Sequence, residues 1–321
     1  MAHPIHEANE ESPYGNLTKE EFYKKHDILH QESFMINSQN MRIFTQSWRP
    51  ADPGRRVRAL VGMIHGYTSE SGWLFELNAV AAAKAGFLVV ALDLQGHGLS
   101  DGPPDHIADV QPLLRDCLLF FDAARARHPR LPHFLYGESL GGALAALVCL
   151  RQKAAWRGLI LSGAMCEVSR KFKPVWPLEK LLPAAAFVAP EWRIAITPPP
   201  GRLSYREGWK GRLAGRSPNR RTCGRPTAAT ALQLLNVCEY VKRNCGELEV
   251  AMLILHGGDD VICDPVGAEH LHRTAASKDK TLKIYDGVWH QLIGEPNDVV
   301  EENFNTVLTW IQVRADLANP N

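Results

Sequence analysis

Apolar runs of four to eight residues alternate with helical patterns along most of this chain. Met41 to Trp48 and Val57 to Ile64 read as strands. Gly72 to Ala85 reads as a helix, and Phe87 to Leu94 as a buried strand. A helical stretch from Val110 to His128 leads to a short apolar run, His133-Phe134-Leu135-Tyr136, and then to the small-residue run Leu140 to Val148. Trp156 to Ser162 is a further strand. Continuous apolar strands separated by helices predict a mostly parallel sheet covered on both faces.

The rhythm breaks between about Ala164 and Leu235. This stretch holds many prolines, including Pro198-Pro199-Pro200, and apolar pieces such as Leu178 to Val188. Between Gly201 and Pro226 stand eight Arg or Lys residues and one acid, Glu207. The alternation then resumes: strand Val250 to Leu255, helix Pro265 to Ala276, strand Thr281 to Tyr285, closing helix Val299 to Val313. An insertion at the rim where parallel strands end is expected to cover the ligand crevice as a lid. The pattern divides the chain into a polar leader (1–32, with helical character around Lys19 to His26), a first core part (33–163), the inserted lid (164–235) and a second core part (236–321).

Composition narrows the partners. The 321 residues are 45% hydrophobic and carry a formal net charge of +1, which gives no general attraction to nucleic acid. Seven scattered cysteines without a Cys-x-x-Cys pair point to a reducing, cytoplasmic setting rather than a disulfide framework. Residues 1–31 lack the apolar core of a secretory signal, and no run approaches the ~18 apolar residues of a membrane span. The only membrane contact expected is peripheral, through the greasy lid.

Chemistry concentrates at Gly137-Glu138-Ser139-Leu140-Gly141. At ~7% each for Gly and Ser, Gly-x-Ser-x-Gly arises by chance in roughly one chain in ten of this length. Here it stands between a strand and a helix, the context of a nucleophile elbow, in which a tight turn exposes the serine hydroxyl. A serine hydroxyl needs a base, and the base needs a third group to orient it. In this architecture acid and base follow in that order, on loops after late strands. The acid loop, His256 to Pro265, offers three aspartates. Asp264 precedes a proline that opens a helix and reads as an N-cap. Spacing does not separate Asp259 from Asp260. The base loop, Asp286-Gly287-Val288-Trp289-His290-Gln291, places His290 as the base. His270 and His272 lie in a helix, and His256 ends a strand too early to reach over the sheet. The oxyanion hole needs two backbone N–H groups. Leu140, after the nucleophile, and Tyr67, in the loop His65-Gly66-Tyr67, are the expected donors. Cys263 reads as a buried structural thiol.

These pieces resemble the serine hydrolases of the α/β-hydrolase fold, specifically the monoacylglycerol lipase-like family. The plant members, which include lysophospholipases and caffeoylshikimate esterases, are the most similar. The resemblance rests on His65-Gly66-Tyr67, Leu92 to Gly102, Gly137 to Gly142, Gly163 to Cys166, His256 to Pro265, Asp279 to Tyr285, Gly287 to His290 and Gly294-Glu295-Pro296. It implies Asp260 as the acid, Tyr67 and Leu140 as oxyanion donors, and a rim position for Gly96 to Ser100. It also implies hydrolysis of a small-molecule carboxylic ester through an acyl-enzyme, with neither cofactor nor metal. Monoacylglycerol or lysophospholipid esters are the expected substrates, with caffeoylshikimate as the alternative. Ser139 stands where epoxide hydrolases and dehalogenases of this fold need an aspartate. Peptidase chemistry stays open, because the fold hosts several reactions. A small-molecule receptor on the same fold is the remaining class, and the intact Ser, Asp, His set argues against it. The chain departs from the family in the lid, where Ser217-Pro218-Asn219-Arg220-Arg221-Thr222 replaces an Asn-Pro-x-Arg-Tyr stretch.

Overall fold

Eight strands form one sheet in a computed structural model that describes residues 2–173, 178–194, 201–221 and 225–318. Pro198 to Pro200, Thr222 and the side chain of Leu178 lie outside the described residues. The strands are β1 (Ile28–Ile36), β2 (Arg42–Pro50), β3 (Leu60–Ile64), β4 (Leu88–Leu92), β5 (His133–Glu138), β6 (Gly158–Ser162), β7 (Met252–Gly257) and β8 (Lys280–Tyr285). Their spatial order is β1-β2-β4-β3-β5-β6-β7-β8. β1 and β2 pair antiparallel, β2 joins β4 antiparallel, and every later pairing is parallel. This is the α/β-hydrolase arrangement of a mostly parallel sheet flanked by helices.

Each parallel strand feeds two cores. Leu60 and Ile64 of β3 face one apolar cluster, while Val61 and Met63 face the other. Side chains alternate across a strand, so both faces must be apolar when helices cover both. Helices α3 (Val110–Arg127), α4 (Leu140–Arg151), α8 (Ala228–Asn244) and α9 (Pro265–Thr274) cover the first face. Helices α2 (Trp73–Lys84) and α10 (Asn297–Ala318) cover the second.

Two regions differ from the expected pattern. The sheet begins inside the polar stretch, at β1, and the chain before it packs onto the second core. Ile5 and Phe22 are fully buried there, the latter on α1 (Lys19–Lys25). Tyr14 and Tyr23 donate their hydroxyls to the buried Glu76 carboxylate of α2. Between β6 and β7 the chain forms α5 (Leu178–Val188), α6 (Gly201–Ser204), α7 (Gly208–Gly215) and α8. The last of these runs through residue 235, joining the inserted segment to the core without a break.

The strand order reverses at β3, whose neighbours are β4 on one side and β5 on the other. Loops leaving the carboxyl ends of β3 and β5 part there and open a crevice. His65-Gly66-Tyr67 follows β3 and Ser139 follows β5. Topology thus delivers both pieces to one place.

Candidate active site

Ser139 is the single residue between β5 and α4, and it adopts φ 52°, ψ −120°. A side chain in this region is strained and persists only where the surroundings dictate it. Its carbonyl accepts N–H bonds from Gly142, Ala143 and Met165, at 3.0, 3.2 and 2.9 Å. Its own N–H donates to the Ser162 carbonyl at 3.2 Å. The glycines are required by contact: a Cβ on Gly137 would lie 2.3 Å from the Gly141 carbonyl oxygen, and one on Gly141 2.2 Å from that of Ile64.

His290 follows β8. Its Nε2 lies 3.0 Å from Ser139 Oγ, and its Nδ1 lies 2.7 Å from Asp260 Oδ2. An ionised carboxylate only accepts, so Nδ1 carries the proton and Nε2 is left to accept from the serine. Asp260, after β7, is held on both oxygens. Oδ1 accepts the N–H groups of Ile262 and Cys263 at 2.8 and 2.9 Å. Oδ2 also meets His256 Nε2 at 3.2 Å. Burial alone would raise the Asp260 carboxyl, but the His290 charge and the hydrogen bonds of His256 and His290 hold it well below the usual carboxylate range. Asp259, its neighbour, is exposed, and its N–H donates to the Val288 carbonyl at 3.0 Å. The two aspartates that spacing could not separate therefore occupy different environments. Asp264 caps α9, accepting the Val266 N–H at 3.1 Å.

The loop after β3 is fixed by His65. Its Nε2 accepts the Leu94 N–H at 3.0 Å, which leaves Nδ1 to donate to the Gly66 carbonyl at 2.8 Å. Burial pushes His65 down to about 4, so the neutral tautomer that makes both bonds persists. A Cβ on Gly66 would approach Ser139 Cβ to 3.0 Å, which shows how closely this backbone passes the serine. Tyr67 comes next, its hydroxyl donating to the Asp105 carbonyl at 2.8 Å. Leu140 is the first residue of α4, so its N–H belongs to the helix N-terminus, where no intrahelical partner exists.

Several supports were not legible in the sequence. Asp93 ties the loop after β3 to the Gly96 to Ser100 loop: Oδ1 accepts from Ser71 N–H and Oγ, both at 2.6 Å, and Oδ2 from Leu99 N–H at 2.8 Å. Gly98 passes so close that a Cβ would lie 2.0 Å from Asp93 Oδ2. The basic residues of the inserted segment serve largely as anchors. Arg221 donates to the Ser100 and Gly102 carbonyls at 2.6 and 3.1 Å, and Arg206 to that of Gly287 at 2.8 Å. Arg216 donates to the Glu10 carbonyl at 2.7 Å. Arg193 grips the buried Asp105 carboxylate at 2.8 Å. A cluster of basic residues carries no sequence signal for carbonyl partners, so these bonds emerge only on folding.

The cleft over Ser139 has mixed walls. Phe75, Met165, Phe172, Leu234, Ile262 and Ile293 are apolar, while Glu70, Ser204, Tyr205, Ser217, Arg220 and Gln291 are polar. Asp260, Cys263 and His290 place metal-type donor atoms within 4.8 Å of one another. They do not fit a resident metal: two of the donors are joined by their own hydrogen bond, and burial raises the Cys263 thiol well above its ordinary value, leaving it protonated. The six described cysteines are all unpaired and buried.

The hydrolase family described as serine aminopeptidase, S33, matches residues 55–297. A caffeoylshikimate esterase of Arabidopsis thaliana is 30% identical over 302 residues, covering 93% of this chain and 90% of that protein. A monoglyceride lipase of Homo sapiens is 29% identical over 284 residues, covering 88% of this chain and 91% of that protein. The solved structure of a soluble variant of monoglyceride lipase from Saccharomyces cerevisiae, in complex with a substrate analog, superposes with a TM-score of 0.78. It shares 20% identity, over 88% of this chain and 95% of that one, and speaks for the fold.

Proposed function

This chain belongs to the hydrolase family described as serine aminopeptidase, S33, and is a serine ester hydrolase; we propose that it works through an acyl-enzyme on Ser139 and cleaves monoacylglycerol or lysophospholipid esters. The observation that carries this reading is the division of the His290 nitrogens, one 2.7 Å from Asp260 and the other 3.0 Å from Ser139. His290 takes the serine proton as Oγ attacks the ester carbonyl. Asp260 holds the tautomer and stabilises the imidazolium. The N–H groups of Tyr67 and Leu140 bind the oxyanion, each contributing about 3 kcal/mol to the transition state. His290 then protonates the leaving alcohol, and water repeats the sequence to free the acid. Ser139→Ala is expected to lower kcat at least about 10⁴-fold. Residual turnover near the wild-type rate would remove Ser139 from its role.

The lid, residues 164–235, sets the substrate in this reading. The apolar walls of the cleft suit an acyl chain, and the polar ones suit a hydroxylated alcohol. Leu181, Phe187, Val188 and Trp192 are 58%, 88%, 80% and 70% exposed, on or just after α5. So much exposed apolar surface in one place fits a lipid surface. No helix among the described residues is long and apolar enough to cross a membrane, so this contact is peripheral. The double variant Phe187→Ser, Trp192→Ser should stay in the supernatant of phosphatidylcholine vesicles that sediment the wild type; equal sedimentation would count against the contact.

One observation favours a second substrate. Arg220 lines the cleft, and among the described residues its guanidinium makes one hydrogen bond, to the Ala214 carbonyl at 3.2 Å. The rest of its fork is available to an alcohol bearing a carboxylate, as in caffeoylshikimate. Comparing kcat/KM for a monoacylglycerol, a lysophospholipid and caffeoylshikimate decides between the two readings.

A further inference from the structure

Glu138 has no part in the chemistry above, yet it is 6% exposed and immediately precedes Ser139. A buried carboxyl group must be hydrogen-bonded or stay neutral. Its Oε1 accepts the Asn78 Nδ2–H from α2 at 3.0 Å and the Tyr136 hydroxyl at 2.7 Å. Asn78 is oriented in turn by the N-terminal segment. The Ile5 N–H donates to His3 Nδ1 at 3.1 Å, so the ring proton sits on Nε2, which donates to Asn78 Oδ1 at 3.2 Å. Burial pushes His3 down to about 3, which keeps this order of donors fixed near neutral pH. The Asn78 amide is therefore aimed with its N–H toward Glu138. Oε2 of Glu138 makes no hydrogen bond to another described residue. The side chain lines the active-site cleft and also, with Ile293 and Asn303, a separate cavity of about 20 Å³, room for one water.

We propose that Glu138 is a positioning residue for the reaction: its charge acts on the His290 imidazole alongside Asp260, and the N-terminal segment holds it there through His3 and Asn78. The inference rests on His290 being the base for Ser139. Glu138 adjoins Ser139, whose Oγ lies 3.0 Å from His290 Nε2, and Glu138 and His290 both line the cleft, so the two charges face one small space. Coulomb attraction is mutual, so a carboxylate stabilised by the imidazolium stabilises it equally. Burial raises the Glu138 carboxyl to about 7, against the opposing pull of Tyr136, His290 and Asn78. Its charge therefore appears as the pH rises through neutrality, whereas Asp260 is ionised throughout. Glu70, His97, Asp105, Arg220 and Arg221 also line this cleft. Tyr205, before α7, is pushed up to about 12 by burial and by Glu138 itself, with Arg220 opposing. Asp260, backed by His256 and Cys263, meets His290 from the acid loop.

Glu138→Gln keeps the shape of the side chain and can still accept from Asn78 and Tyr136, so it isolates the charge. The test follows kcat/KM of the full-length enzyme from pH 5 to 9 with p-nitrophenyl butyrate. Without the charge the imidazolium is less stable, and the acid limb should move to lower pH by roughly 0.5 to 1 unit. Asn78→Ala, which removes a donor and makes Glu138 harder to ionise, should move the limb the same way by less. A merely structural role would lower Tm without moving the limb. Superimposable limbs for both variants, or a shift to higher pH, overturn the proposal. Should Glu138→Gln fail to fold, Asn78→Ala decides on the same limb. An inactive Ser139→Ala beside an unshifted Glu138→Gln profile sinks this inference alone, whereas an active Ser139→Ala sinks the reading beneath it.

Discussion

A serine at φ 52° would relax if its turn had room, and the backbone around Gly137 and Gly141 leaves none. The Gly-x-Ser-x-Gly spacing was legible because that crowding forbids any side chain at the flanking positions. Spacing did not single out the acid in the same way, and Asp260 was implied only by the family resemblance. Asp259 and Asp260 are chemically identical neighbours, and only the crossing of two loops distinguishes them. A Cβ on Gly257 would lie 2.3 Å from the Trp289 carbonyl oxygen, so the acid and base loops touch backbone to backbone. Where the loops meet, Asp260 is buried against His290 and Asp259 is exposed. Asp260→Asn should reduce kcat by about 10⁴-fold, because the imidazole loses the tautomer that faces Ser139. Asp259→Asn should change stability by less than about 0.5 kcal/mol and leave ester hydrolysis intact. Steady-state kinetics on the two variants distinguishes the positions, and equal losses would contradict the assignment. His256 ends its strand too early to reach the serine, as its position implied. It acts one step back instead, where its Nε2 meets Asp260 Oδ2.

Among elements, those with apolar periodicity were readable within a few residues, from β2 through β8. β1 was not, because it lies at the sheet edge and most of its residues are exposed. An edge strand with little buried surface has no apolar alternation to reveal it. The N-terminal segment was read as a leader for a similar reason: its composition is polar, and its buried residues fall in short groups, at 3–5, 13–14 and 22–23, that follow neither a strand nor a helix period. Phe22 is fully buried among Tyr14, Tyr23 and His26. Phe22→Ala should therefore cost about 3 to 5 kcal/mol, read as a lower urea midpoint; a change under about 1 kcal/mol would mean that α1 is an appendage. In the inserted segment the obstacle was different. Its helices are held by arginine-to-carbonyl bonds and by the Lys210 ammonium donating to the Glu295 carbonyl, partners about which a sequence pattern is silent.

For the whole molecule, a net charge of +1 conceals opposed buried groups. Burial raises the Glu70 and Glu138 carboxyls to about 7 from an ordinary 4.5. Between those values the folded chain keeps protons that the unfolded chain releases, so stability falls as pH rises through that window. His65 and His97 are pushed by burial from 6.5 to about 4. There the unfolded chain takes up protons first, and stability falls as pH drops from 6.5 to 4. Glu70 sits where the loop after β3 meets the inserted segment, accepting the Ser217 hydroxyl. Glu70→Gln should raise Tm relative to wild type at pH 8 and leave it nearly unchanged at pH 4.5. An equal difference at both pH values would show that the carboxyl ionises normally.

The sequence alone determined the alternation that makes a parallel sheet, the turn that presents Ser139, and the order of acid and base loops. These follow from local geometry: strand and helix periods, glycines where no Cβ fits, and loops at strand ends. Spacing left Asp259 and Asp260 level and the family resemblance implied Asp260; only the tertiary structure showed the contact with His290, where the basic side chains of the inserted segment end, and that residues near the N-terminus reach the carboxylate beside Ser139. Each of those rests on groups far apart in the chain, brought within about 3 Å by packing, and such pairings leave no period in the sequence for a pattern to detect.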